Sequence, residues 1–213
     1  PNMYGVFPIS KEWAFGLGVN APCGLVTEYD STWIGRFQAI KSDVKTININ
    51  PALSWKPAPN FAIGAGADYQ QIKATFTNQV NYSAALLGAA AVAGIAPGSA
   101  TYNAIAQSTP GLESFAKVKG DDWAWGWNVG VLWDLDQNNR IGAHYRSSIK
   151  YSISGNATFC NPGQEGCQAF GPLPGPVAPV VAGLSAALNN GRLYNGGISA
   201  KIELPEIVNI SYF

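Results

Sequence analysis

From Val118 to Phe159 the side chains alternate between two chemistries with almost no error, and this constrains the fold more than anything else in the sequence. Trp123, Trp125, Trp127, Val129, Val131, Trp133 and Leu135 occupy the odd positions; Asp122, Ala124, Gly126, Asn128, Gly130 and Asp134 are among the even ones. A period of two is that of a strand. After Asp136-Gln137-Asn138-Asn139 it resumes, with Ile141, Ala143, Tyr145, Ile149, Tyr151 and Ile153 on the expected outer face and Arg140, His144, Arg146, Ser148, Lys150 and Ser152 on the other. Soluble strands run to about five or six residues, and these are roughly twice as long. Indoles on one face opposed by charge and glycine suit a membrane barrel, whose outside meets lipid and whose lumen is polar. The pattern by itself also admits a soluble sandwich.

Composition favours the barrel. Charged residues make up 12% of the 213 residues, against about 25% in a soluble domain. With 13 Lys+Arg and 13 Asp+Glu, nothing favours nucleic acid as a partner. The longest apolar run, Ala84 to Ala96, has 13 residues, short of the roughly 20 a spanning helix needs. A membrane protein without such helices must be a closed barrel. The chain opens at Pro1 without an initiator Met or signal peptide and ends within an apparent strand at Phe213, which reads as an internal fragment.

Along the chain, Asn2 to Ile9 is strand-like, and Trp13, Phe15, Leu17 and Val19 form a strand stopped by Pro22. Ile47 to Trp55 and Phe61 to Phe76 follow, the second with a phase slip expected at Gln70-Gln71 that would bring Ile72, Ala74 and Phe76 outward through a bulge. Tyr82 to Ile95 and Thr101 to Gln107 are expected to be helical, and a further Ala-rich patch spans Ala182 to Leu188. The last strand runs from Ile198 to Tyr212, interrupted at Leu204-Pro205-Glu206. Seven strands are countable. Short turns near Ser10, Pro57 and Gln137 alternate with long segments at 22–44, 79–117 and 160–196, as in outer-membrane barrels with periplasmic turns and external loops. In the central hairpin the register predicts a three-residue turn Asp136-Gln137-Asn138, with Trp133 opposite Ile141, Asp134 opposite Arg140 and Asn138 left-handed.

Three stretches carry a resemblance: Trp13 to Leu25, Gly120 to Asn128, and Tyr145-Arg146-Ser147, with Leu204-Pro205-Glu206 also matching. Together they are similar to the FadL family of Gram-negative outer-membrane transporters of long-chain fatty acids and other hydrophobic compounds. The resemblance implies an all-β fold: an antiparallel transmembrane β-barrel of 14 strands, of which residues 1–213 would be a single partial domain without the N-terminal hatch and the C-terminal strands. The family often has Phe where Cys23 stands.

The resulting expectation is passive lipid transport by a monomeric barrel, not an enzyme, with no cofactor and no metal. Its partners would be a fatty acid or aromatic hydrocarbon and outer-membrane lipid. Alternatives are an outer-membrane lipid hydrolase and a soluble carbohydrate-binding β-protein whose tryptophans stack on sugars. The family's loop resembles a pair of helices forming an apolar landing groove, which assigns ligand capture to Leu86, Leu87, Val92 and Ile95; alternatively these only pack the helices together. Its matching strand is kinked to open the wall, which assigns a lateral exit to Asn20, Ala21, Pro22, Cys23 and Gly24, with Gly24 adopting angles closed to other residues; an ordinary bulge is the alternative. Lumen cations Arg140, His144, Arg146 and Lys150 either attract a ligand carboxylate or pair with carboxylates such as Asp122 and Asp134. Cys160 and Cys167 sit in a Gly/Pro-rich loop on an oxidising surface and are expected to form a disulfide, two free thiols being the alternative.

Overall fold

A computed structural model describes residues 2–213. In chain order the elements are β1 (Met3–Pro8), β2 (Trp13–Asn20), β3 (Gly24–Glu28), β4 (Lys41–Ala58), β5 (Phe61–Asn81), α1 (Tyr82–Val92), α2 (Ala100–Ser108), β6 (Glu113–Asp134), β7 (Arg140–Arg146), β8 (Ile149–Cys160), α3 (Ala178–Asn189), β9 (Gly196–Leu204) and β10 (Ile207–Tyr212). All ten strands join one antiparallel sheet, in which β2 and β3 follow each other along β4, β7 and β8 along β6, and β9 and β10 along β8 and β7. Three of the ten are therefore continuations of broken wall strands, and the wall has the seven strands counted in the sequence. The sheet is open, with β1 and the β9/β10 strand at its edges.

Between β5 and β6 the register never slips, running from Phe61 opposite Trp133 to Asn81 opposite Glu113. Odd residues face outward throughout. Toward the short turns these are apolar, with Trp13 stacked on Trp55 at 5.7 Å; farther up, Tyr69 stacks on Trp123 at 4.5 Å. Trp133 and Trp123 lie ten residues apart, or about 34 Å of strand, and about 24 Å along the normal at a 45° tilt, matching the roughly 25 Å apolar band of an outer-membrane barrel. Beyond Trp123 the outward residues become Asp121, Lys119 and Lys117, opposite Lys73, Thr75 and Thr77.

The slip expected at Gln70-Gln71 does not occur. Gln70 pairs with both Asn48 and Ala124 in an unbroken ladder, so Ile72 and Ala74 keep the inward phase of Asp68 and are buried. Their apolar run marks a change in what the lumen contains.

The true irregularity lies at Ser147-Ser148, where β7 and β8 pair with β6 in registers one residue apart. Ile149, Tyr151 and Ile153, expected outside, therefore turn inward and are buried with Ile72 and Ala124. Lys150 moves outward and faces Glu203 on β9 at 3.5 Å, so it is not a lumen cation. Gly126 and Gly120 make room for this, since a Cβ there would come within 2.8 Å of Ile149 and 2.6 Å of Ile153. Along the neighbouring strand, Pro205-Glu206 breaks β9 from β10 opposite Ser147-Ser148, and the two broken strands stay in one register with each other.

The central hairpin has Trp133 opposite Ile141 and Asp134 opposite Arg140, with Leu135 N–H donating to Asn139 O at 2.9 Å. Asn138 is not left-handed, because no non-glycine residue among the described residues has a positive φ. The Asp136 carboxylate holds the turn instead, accepting from Asn138 N at 2.8 Å and from Asn139 Nδ2.

Opposite the short turns, the long connections fold into a lid with its own core. Asn81 caps α1 by accepting from Ala84 N at 2.9 Å, and Gly94, at φ +85°, follows its end. Ser99 caps α2, and Pro179 lies in the first turn of α3, where its missing N–H costs nothing. Tyr82, Leu86 and Ala90 of α1 pack with Ile105 of α2 and with Val181, Leu184 and Leu188 of α3. Cys160 and Cys167 are bonded, S–S 1.98 Å.

Candidate functional site

Inward-facing side chains of β4, β5, β6 and β7 converge on Asp68, which is 2% exposed. Its carboxylate accepts from Asn48 Nδ2 at 2.7 Å, Asn50 Nδ2 at 3.2 Å and Asn128 Nδ2 at 2.9 Å, and lies 3.5 Å from Arg146 Nε. Arg146 also donates to Gln70 Oε1. Asn48, Asn50, Asp68, Asn128 and Arg146, together with Asn20 and His144, line a pocket of about 150 Å³. Burying a charge is tolerable only when it is paired and hydrogen-bonded, and this layer meets that condition. Three polar atoms at its upper margin remain without partners among the described residues: Asn20 Oδ1, Asn48 Oδ1 and Gln70 Nε2.

Toward the lid the lumen turns apolar. Ile72, Ala124, Ile149, Tyr151 and Ile153 form a buried cluster, and above it Phe76, Val118, Ile198 and Ile202 line a small apolar cleft. On the other side of the polar layer, small residues such as Gly16, Ala52, Gly64, Gly130 and Gly142 leave a recess of about 460 Å³. The inner face thus runs from apolar, through one charged and amide-rich layer, to a recess walled by small side chains.

The wall breaks beside that layer. β2 pairs with β4 as far as Asn20 opposite Asn48; β3 resumes with Gly24 opposite Lys45, one residue out of register. Pro22 has no N–H to give. Cys23 is tied to Thr46 by three bonds: its N–H donates to Thr46 Oγ1 at 2.9 Å, and its carbonyl accepts from Thr46 N–H at 2.9 Å and Thr46 Oγ1 at 2.8 Å. Asn20, Asn48, Gln70 and Ala124 form one row across the sheet, so the break adjoins the row in which the lumen changes character. Gly24 differs from expectation. Its φ is not positive, and a Cβ would meet nothing within 4 Å, so the offset comes from Ala21-Pro22-Cys23.

Of the capture residues, Leu86 is fully buried between the lid helices, Leu87 and Ile95 are half-buried against the same core, and Val92 stands 84% exposed. Of the lumen cations, Arg140 pairs with Asp134 near the short turn and Arg146 with Asp68; His144 lines the polar pocket and Lys150 is outside. The centre of the layer was missed in the sequence. Asn48, Asn50, Asp68 and Asn128 each fall on the polar side of an alternating strand, but only the inter-strand register brings them to one point.

The family described as outer membrane protein transport protein (OMPP1/FadL/TodX) matches residues 1–213. A long-chain fatty acid transport protein of Escherichia coli O6:H1 is 33% identical over 156 residues, covering 73% of this chain and 34% of its own length. The 47 kDa outer membrane protein of Pasteurella multocida is 30% identical over 155 residues, 73% of this chain and 33% of its own. The chain thus spans about a third of the length of these curated relatives. Among solved structures, a Pseudomonas aeruginosa FadL homologue superposes with a TM-score of 0.72 at 21% identity, over 99% of this chain and 44% of that one. The toluene transporter TodX of P. putida does so with 0.58 at 17%, over 99% and 49%. At these identities the structural likeness establishes the β-barrel fold.

Proposed function

Because the chain belongs to the OMPP1/FadL/TodX family of outer-membrane transport proteins, we propose that it forms part of the wall of a channel for long-chain fatty acids or other hydrophobic compounds, which enter beneath the lid and leave sideways at the break between β2 and β3. The observation that carries this reading is the coincidence of the break with the end of the apolar lumen, in the row Asn20, Asn48, Gln70, Ala124. An alkyl chain gains roughly 0.8 kcal/mol for each CH₂ kept from water, so it is stable beside Ile72, Ile149 and Ile153. Descending farther would place it against Asp68 and Arg146, whose bonds it cannot replace. Passage into lipid avoids that cost. Val92, with Leu87 and Ile95 beneath it, supplies the apolar rim where capture would begin. Arg146 is committed to Asp68 and Gln70, which leaves His144 and the unpartnered atoms Asn20 Oδ1, Asn48 Oδ1 and Gln70 Nε2 as the groups available to a ligand's polar end. The route requires no nucleophile, metal or cofactor.

The test is to block the break. Cys23 is exposed and Gly24 has open space around it, so Cys23→Trp and Gly24→Trp fit without displacing the core. Uptake of a fluorescent fatty acid by cells should fall at least tenfold, while binding of the same compound to the purified barrel is retained. Unchanged uptake by a barrel that still migrates as folded in unheated gels places the exit elsewhere.

A further inference from the structure

Just beyond the upper aromatic girdle, the outward face of the sheet carries five lysines in three consecutive rows. Lys45 lies opposite Lys73, and Lys73 opposite Asp121, in the first; Asp43, Thr75, Lys119 and Asn156 form the second; Glu28, Lys41, Thr77 and Lys117 form the third. Two of the acids are committed, Glu28 to Lys41 and Asp43 to Lys45, each at 2.8 Å. Lys73, Lys117 and Lys119 have no ion-pair partner among the described residues, although Asp121 shares a row with Lys73. Lys119 and then Lys41 hold the Lys117 ammonium below its ordinary value by like-charge repulsion. Between Lys73, Lys119, Asp121, Ser154 and Asn156 the surface is hollowed into a groove of about 540 Å³.

Like charges are not gathered on rigid strands without a cost, and an anion at that place relieves it. The position identifies the anion. Lys73 lies four residues after Tyr69 and Lys119 four residues before Trp123 on the antiparallel strand, about 13 Å along each strand, so at a tilt near 45° they stand some 10 Å above the girdle, at the depth of outer-leaflet head groups. We propose that this face is a docking site for lipopolysaccharide, with the phosphates of its lipid A portion seated between Lys73, Lys117 and Lys119 and its acyl chains lying along the Trp123, Trp125 and Tyr69 rings. Ser154 and Asn156 offer the hydroxyl and amide that a sugar–phosphate head group takes, and the Lys41–Glu28 and Lys45–Asp43 pairs bound the site on one side. The site binds membrane lipid on the outer wall and is separate from the lumen route.

The experiment uses the complete protein purified from outer membranes and exchanged into detergent, with bound lipid measured by native mass spectrometry and titration. Each lysine near an anionic head-group layer is worth roughly fivefold in binding. Diphosphorylated lipid A should therefore bind at least tenfold more tightly than the same lipid A after phosphatase treatment. Lys117→Glu with Lys119→Glu should abolish that preference, and Lys11→Glu, in the turn at the opposite rim, should leave it intact. Lys117→Gln with Lys119→Gln serves if charge reversal prevents barrel formation. The proposal is overturned if dephosphorylated lipid A binds equally, if phosphatidylglycerol in phosphatidylcholine vesicles or inorganic phosphate competes as well as lipid A, or if the folded double variants keep the wild-type preference.

Discussion

Removing the Asp68 carboxylate is the sharpest test of the polar layer. In Asp68→Ala, Asn48 and Asn128 lose the acceptor of their Nδ2 groups, whereas Asn50 keeps a bond to Ala67 O at 2.9 Å. Arg146, whose side chain is 16% exposed, keeps only Gln70. Orphaning one member of a buried ion pair costs about 3–5 kcal/mol, and two unsatisfied amides add about 1 kcal/mol each where water cannot reach them. The lumen is wide enough for some rehydration, so a total of about 3–5 kcal/mol is expected. The double variant Asp68→Ala, Arg146→Met removes both charges and should recover about 2 kcal/mol of that loss. Urea unfolding of the complete barrel in lipid vesicles, followed by tryptophan fluorescence, measures both values. If Asp68→Ala lies within about 0.5 kcal/mol of wild type, or if adding Arg146→Met worsens it, the carboxylate is not the organising group of the layer.

Two further outcomes concern the lid. Leu86→Ala hollows the α1–α3 contact and should cost about 2–5 kcal/mol in the lid alone, seen as faster amide exchange in α1 and α3 with β5 and β6 unchanged; exchange that stays the same in both helices would mean that Leu86 is not central to their packing. Replacing Cys160 and Cys167 by Ser opens a loop of sequence separation 7 and should cost about 2–3 kcal/mol under the chain-entropy model, read as faster proteolysis between 161 and 177; equal cleavage of oxidised and Ser-substituted protein refutes that contribution.

Much of the fold was legible because it depends on period. Alternation locates six of the seven wall strands and apolar composition the first, and parity of facing residues fixes the central hairpin down to Trp133 opposite Ile141. The departures in which side a residue faces share one cause. Every apolar run was assigned to the outside, as is correct only within the apolar band; Ile72 and Ala74 were therefore given a slip they do not need, and Ile149, Tyr151 and Ile153 were placed in lipid when they fill the lumen. Ser147-Ser148 carries no proline or glycine to announce the irregularity. The partner strand does, at Pro205, but only the pairing of the two strands links these signals. The Asp68 layer is hidden for the same reason, since its members are up to 98 residues apart in sequence, from Asn48 to Arg146.

The two ways in which the wall reverses its polarity bear on the proposed route. β5 and β6 keep their phase and change residue type, so that Tyr69 and Gln71 give way to Lys73 and Thr75 outside while Asp68 and Gln70 give way to Ile72 and Ala74 inside. β7/β8 and β9/β10 instead shift phase together, which takes Ile149, Tyr151, Leu204 and Ile202 from outside to inside and sends Lys150 and Glu203 out. Had these two strands kept phase, Ile149, Tyr151 and Ile153 would face outward at the level of the upper girdle and be lost to the lumen. A polar exterior alone could have been made by polar substitution with the phase unchanged. The shift accomplishes more, because it delivers the same apolar side chains to the lumen, against Ile72 and Ala124. The lumen is thus apolar from the upper girdle toward the lid, and it turns polar at the Asp68 layer. An apolar solute crossing the head-group layer would stay in apolar surroundings up to the row in which the β2–β3 break offers lipid as the next such surrounding.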